Sequence, residues 1–303
     1  MKQRISIICT IVMMVLLVFG CGPKQLGTTG TTHQVTDGTG TVVTVPTEPK
    51  RIVPIAASTE DIVLSLVDPS RVAAVGTVPN NVPDASAKVE KHVKATAESM
   101  LSVQPDLVLV PNWMSPDAIG EMRNMQIPVY VYKTPTTVKE AKATIHEIAG
   151  LLHASDESMI ASMDADLKTV EELANKHSGE RPLVAFYSQF GLTGGKGSTF
   201  DDMCNYLKVN NAADQLGLGP FDNGTREDLI KANPDIIIIP SVDYTSDGTT
   251  PAAAEQLCSD PALQGVKAIA NRRVYLVDSS QVMSYSQFMT RAMVSMAQNI
   301  YSM

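Results

Sequence analysis

Beyond residue 50 the chain alternates short, wholly aliphatic runs with longer stretches in which apolar residues recur every three or four positions. Aliphatic runs of that kind are strands covered on both faces, and the helical periodicity between them predicts an α/β fold with mostly parallel sheets. One unit occurs twice. Residues 98–111 read ESMLSVQPDLVLVP and residues 227–240 read EDLIKANPDIIIIP, a constant offset of 129 positions. In each copy a Glu opens a short helix with two apolar residues (Met100-Leu101, Leu229-Ile230), and a proline ends it because the residue before proline avoids helical backbone. An Asp, four aliphatic residues and a second proline follow. The repeat predicts two related Rossmann-like lobes.

Other segments fit that plan. Residues 51–55 and 183–187 read as opening strands of the two halves, and 127–132 and 273–277 as later ones. Gln34 to Val45 reads as a small hairpin turning at Asp37-Gly38. Between the halves, Met159, Ile160, Met163, Leu167, Val170, Leu173 and Ala174 keep helical spacing after Ser155, a residue suited to an N-cap. A helix from 155 to 177 is roughly 34 Å long at 1.5 Å per residue. A single such connector favours a small rocking of two lobes over wide hinge closure.

The N-terminus adds an address. Lys2 and Arg4 precede an apolar run from Ile5 to Phe19, too short to span a bilayer comfortably, and Gly20-Cys21 follows. This predicts a lipoprotein signal over 1–20, with Cys21 as the acylated residue, and export to the outer face of the cell membrane or to the periplasm. Residues 21–40, rich in Gly and Thr, read as a flexible tether. The remaining divisions are an N-terminal lobe over 41–154, a connecting helix over 155–178 and a C-terminal lobe over 179–303.

Charge and cysteines narrow the partners. The chain carries 24 basic and 32 acidic residues, and residues 1–20 hold two of the basic ones, so the mature protein stands near −10. So acidic a body does not seek nucleic acid or anionic lipid unaided, which leaves the acyl chain to hold it at the membrane. Of four Cys, Cys204 and Cys258 remain after processing, and spacing alone leaves open whether they pair.

Taken in order, VTDGTGTVVTVPTEPKRIVPI, RVAAVG at 71–76, QPDLVLVP, IPVYVY, NPDIIIIP and RRVYLVD resemble the periplasmic-binding-protein family that captures iron complexes and cobalamin for ABC importers. The resemblance runs from about residue 34 to the C-terminus. It implies two α/β lobes joined by one long helix, the class III arrangement, and a non-enzymatic monomer that hands its ligand to a permease dimer with its ATPase. It also implies docking of Glu98 and Glu227 into arginine pockets on the permease. Both glutamates equally suit a first helical turn after Thr96 and Thr225, where the helix dipole alone favours them.

Ligands of open α/β sheets lie beyond the carboxyl ends of the strands. The loops expected there carry Trp113, Met114, Phe190, Lys196, Tyr244, Met283 and Tyr285, with Tyr187 at a strand end. Aromatic and thioether walls suit a flat, largely apolar macrocycle, and packing of lobe edges is the other use of such residues. Lys196 is the sole evident cation in these loops, which points towards haem or a corrinoid rather than an anionic ferric siderophore. No resident cofactor and no metal site are expected. Two rival readings fare worse. A zinc or manganese lipoprotein needs converging His and carboxylate ligands, yet the five His all precede residue 178. An enzyme finds little support: residues 191–199 resemble a phosphate loop one residue short, and neither a nucleophile elbow nor a zinc-protease motif is present.

Overall fold

The computed structural model describes residues 30–241 and 250–301. Strand β1 (Thr32–Thr36) pairs antiparallel with β2 (Val42–Pro46), so residues 32–40 belong to a hairpin and not to the tether assigned to them from composition. The turn is built by one side chain. Asp37 Oδ1 accepts from Thr39 N at 2.9 Å, Thr39 Oγ1 at 2.7 Å and Thr41 N at 3.0 Å, and its other oxygen pairs with Arg123. Burial pushes the Asp37 carboxyl up, but the hydrogen bonds from Thr39, Thr41 and Val131 outweigh it and leave it lowered. Gly38 donates its N–H to Val131 O at 2.7 Å; a Cβ there would stand 2.9 Å from that same oxygen, so the close approach requires glycine.

In the N-terminal lobe β3 (Ile52–Pro54) is followed by the helices α1 (Ala57–Leu66), α2 (Pro83–Ser86) and α3 (Ala97–Val103), then β4 (Leu107–Pro111), α4 (Pro116–Asn124), β5 (Val129–Tyr132) and α5 (Val138–Leu152). The strands form a parallel sheet in the order β3-β4-β5. A helix α6 (Glu157–Asn175) leads to the second lobe. Its 19 residues make about 28 Å. Its N-cap is Asp156 and not Ser155, whose hydroxyl instead accepts from Glu157 N at 3.4 Å.

The second lobe holds β6 (Leu183–Ser188), β7 (Gly191–Thr193), α7 (Thr199–Leu207), β8 (Asn210–Asn211), α8 (Ala212–Gln215), α9 (Arg226–Ala232), β9 (Ile236–Pro240), α10 (Thr250–Ser259), α11 (Lys267–Ala270), β10 (Val274–Val277), α12 (Ser279–Val282) and α13 (Phe288–Tyr301). Its sheet runs β10-β9-β6-β7, parallel except for β7, with β8 beside β6.

The repeat is visible in the packing. In β4, Leu107 and Leu109 face a cluster that Ile236 and Ile238 of β9 also enter, while Val108 with Val110 and Ile237 with Ile239 face a separate core in each lobe. The shared cluster includes Met163 of α6 and Met293 of α13, so one continuous apolar body runs beneath both lobes. Met289, Met293 and Met296, which recur at helical spacing, are fully buried in it. Cys204 is a buried free thiol and Cys258 an exposed one.

Candidate ligand cleft and docking face

At the carboxyl end of β6 the chain turns sharply into β7 and then enters the loop 194–198 before α7. Gly194 sits at φ +77°, where glycine is favoured, and a Cβ there would lie 2.9 Å from Phe200 Cβ. The loop therefore presses against Phe200, whose ring stacks on Phe186 with centroids 5.1 Å apart. Ser198 caps α7 by accepting from Asp201 N at 3.1 Å. The phosphate-loop-like segment is thus a wall of a cleft. That cleft, of about 240 Å³, is lined by Phe186, Phe190, Phe200, Phe221, Met283 and Tyr285. Thr136 of the N-terminal lobe also lines it, and no charged side chain is among the described lining residues.

Several expected residues stand elsewhere. Tyr187 alternates with Phe186 along β6, and neighbouring strand residues point to opposite faces. It packs on the outer core of the C-terminal lobe, where burial, against the opposing charge of Arg226, raises its phenol. Met114 is buried in the outer core of the N-terminal lobe and is not among the described residues that line this cleft. Trp113 is 61% exposed on the loop after β4, outside the described lining. Lys196 is exposed: its backbone N–H ties the loop to Leu218 O at 2.8 Å, while its side chain is not in the wall. Tyr244 and Cys21 lie outside the described residues. Phe190, Met283 and Tyr285 do converge. Phe186, Phe200, Phe221 and Thr136 join them without having been singled out from sequence. Phe221, 92% exposed between Pro220 and Asp222, carried the readable signal: a lone aromatic in a Gly- and Pro-rich loop.

Burial raises the Tyr285 phenol. Behind it, Tyr132 Oη lies 2.7 Å from Thr59 Oγ1, and burial, with Tyr285 contributing, pushes that phenol up to about 12. Both phenols are neutral, so the described wall offers hydroxyls and rings but no ionised group. Among the described residues no cluster of three His, Cys, Asp or Glu is placed to hold a metal ion.

On α3 and α9 the two glutamates occupy matched places. Thr96 Oγ1 accepts from Ser99 N at 3.3 Å and Thr225 Oγ1 from Asp228 N at 3.2 Å, so the caps are made without either glutamate. Glu98 and Glu227 are exposed, and neither carboxylate has an ion pair or hydrogen bond among the described residues. One turn on, the matched Leu101 and Ile230 are 37% and 41% exposed, while Met100 and Leu229 beside them are fully buried. Each lobe thus shows solvent a free carboxylate followed by an aliphatic side chain on the same helix face.

Two related lobes, one connecting helix and a cleft at the carboxyl ends of the strands define a binding protein of the two-lobed kind. The chain belongs to the periplasmic binding protein family, whose profile matches residues 52–281. It is 27% identical over 321 residues to the ABC transporter substrate-binding lipoprotein YvrC of Bacillus subtilis strain 168, covering 99% of this chain and 98% of that one. It is 21% identical to a cobalamin-binding protein of Halobacterium salinarum, over 86% of this chain and 72% of the other. A periplasmic binding protein from Veillonella parvula has the same fold, with a TM-score of 0.75 at 19% identity over 91% of this chain and 99% of that one. The heme binding protein HmuT superposes with a TM-score of 0.74 at 18% identity, over 93% and 94% of the two chains. The fold is that of the class III periplasmic binding proteins.

Proposed function

We propose that this chain is the substrate-binding lipoprotein of an ABC importer, anchored through Cys21, and that it captures a metal chelate in the interlobe cleft and delivers it to the permease. Among iron complexes (haem or a ferric siderophore) and cobalamin, the reading favours a corrinoid. The observation that carries it is the aromatic and hydroxyl lining with no charged side chain among the described residues. A ferric siderophore or the propionates of haem call for cations, and a phenol raised by burial is a poor source of the phenolate that iron would take. The name of the Halobacterium relative supports the same choice. The enclosed 240 Å³ is below the usual range of about 300–1,000 Å³ for small-molecule sites, so a macrocycle enters with part of its bulk at the open rim.

Purified residues 30–303 are titrated with cyanocobalamin, haemin and a ferric siderophore while absorption is recorded. A shifted corrin band at one equivalent is expected, and binding of haemin or the siderophore alone overturns the choice of ligand.

Docking on the permease is proposed to run through Glu98 and Glu227, with Leu101 and Ile230 as the apolar contacts beside them. Two carboxylates on related lobes offer a two-fold pattern, and charge pairs of this kind set register and association rate. The variant carrying Glu98→Ala and Glu227→Ala is expected to bind ligand normally and to lose at least nine-tenths of uptake. Unchanged uptake sinks the docking assignment.

A further inference from the structure

The chain leaves the C-terminal lobe after β10 and passes through residues 279–287 before α13. This loop supplies Val282, Met283 and Tyr285 to the cleft wall. Three of its polar side chains, Ser280, Ser286 and Gln287, bond to the N-terminal lobe. Asp61 of α1, fully buried, accepts from Asn81 N at 2.7 Å, Asn81 Nδ2 at 2.8 Å and Ser286 Oγ at 3.1 Å. The Asn81 amide also donates to Ser280 O at 2.9 Å and accepts from Ser280 Oγ at 2.7 Å. Gln287 Nε2 donates to Asp61 O and to Ser65 Oγ, each at 3.0 Å. Segments some two hundred residues apart thus meet on one carboxylate, and a buried carboxylate is costly unless it is fully hydrogen-bonded.

Resting on the cleft as the ligand site, we propose that Asp61 is a positioning residue for ligand binding: through Asn81 and Ser286 it clamps the loop bearing Met283 and Tyr285 to the N-terminal lobe, so that this wall stands ready before the ligand arrives. The clamp accommodates a proton. If Asp61 Oδ2 is protonated it donates to Ser286 Oγ, whose own hydrogen turns to Ser284 Oγ 2.6 Å away, and both Asn81 bonds persist. The charged group acting on it is Glu60 on the same helix; His92 acts on Glu60 in turn, and Asp278 is hydrogen-bonded to Ser280. Burial, with Glu60 adding to it, raises the Asp61 carboxyl to about 6. Releasing the loop returns Asp61 to water and to an ordinary value, so the clamped state binds the proton more tightly. The clamp therefore tightens as pH falls through 6 and is weakest above it.

The test reads the loop and the ligand separately. Hydrogen-exchange protection of the 279–287 segment is measured at pH 5 and pH 7 in the wild type, Asn81→Ala, Ser286→Ala and Asp61→Asn. Cyanocobalamin affinity is measured alongside. Protection in the wild type is expected to be at least threefold higher at pH 5. Ser286→Ala and Asn81→Ala are expected to lower it about tenfold and to raise the Kd by a similar factor, and Asp61→Asn to abolish its pH dependence. Ser286→Ala removes one hydroxyl, so it keeps the test open if Asn81→Ala does not fold. Equal protection in Ser286→Ala and the wild type overturns the clamp whatever the ligand result, as does a pH dependence that survives in Asp61→Asn. Failure of the wild type to bind cyanocobalamin at all overturns the choice of ligand and leaves the protection data to judge the clamp.

Discussion

Helices α3 and α9 are copies of one another that have kept different things. Both bury one apolar residue completely, Met100 and Leu229, and both end on a left-handed residue before the proline, Gln104 at φ 47° and Asn233 at φ 49°. The Asp after each proline does the same task. Asp106 accepts from Lys50 N at 2.7 Å and Arg51 N at 2.9 Å, and Asp235 accepts from Leu183 N at 2.9 Å, so each seals the start of the neighbouring strand. The caps and surroundings diverge. Thr225 forms a reciprocal capping box with Asp228, whereas Thr96 faces Ser99. Arg226 is paired with Asp260 beside Glu227, while Glu98 stands between Ala97 and Ser99. What the lobes share maintains the fold; what differs lies on the exposed face, where two unlike surfaces can be told apart.

The comparison is broken most directly in the core. Met100→Ala and Leu229→Ala are each expected to lower the stability by about 2–5 kcal/mol in urea unfolding, and by amounts within about 1 kcal/mol of each other if the two sites are equivalent. A large inequality would show that one lobe relaxes around the cavity and the other does not. A second contrast is electrostatic. Glu60 and Asp61 are buried carboxyls of the N-terminal lobe, both raised chiefly by burial, and among the described residues the C-terminal lobe buries no acidic side chain. A folded value of about 6 against an ordinary 3.8 for Asp61 means that the folded state holds the proton more tightly. Stability should therefore fall as pH rises from about 4 to 6, by at most about 1.4 kcal/mol per unit. Asp61→Asn should remove the Asp61 share of that slope and leave the part due to Glu60, which thermal melts across the interval will show. The smallest effect belongs to the caps. Thr225→Ala should cost about 1 kcal/mol and Thr96→Ala less, because only the first also frees a reciprocal partner. Equal losses would mean that the box adds nothing.

The repeat, the connector and the two sheets were legible because burial on both faces leaves an unbroken aliphatic run, and a proline after a helix marks its end. The cleft was legible only in part. Which side of a strand a residue takes depends on its register: one position separates Phe186 in the cleft from Tyr187 outside it. Met114 and Trp113 are neighbours in a loop, and only packing decides that the first is buried and the second exposed. Asp61 gave no signal, because its partners Asn81 and Ser286 are remote in the chain.

The apolar body beneath both lobes has a geometric consequence. If Glu98 and Glu227 are the points that meet the permease, their separation is set by a core through which Leu109, Met163, Ile238 and Met293 are continuous. Interiors packed at crystal-like density resist deformation. The two carboxylates then behave as the tips of a rigid calliper, held at nearly one span whether or not the cleft is filled. A transporter gauging that span alone would learn that a delivery protein has arrived, but it would have to sense the rim of the cleft to learn whether anything is inside.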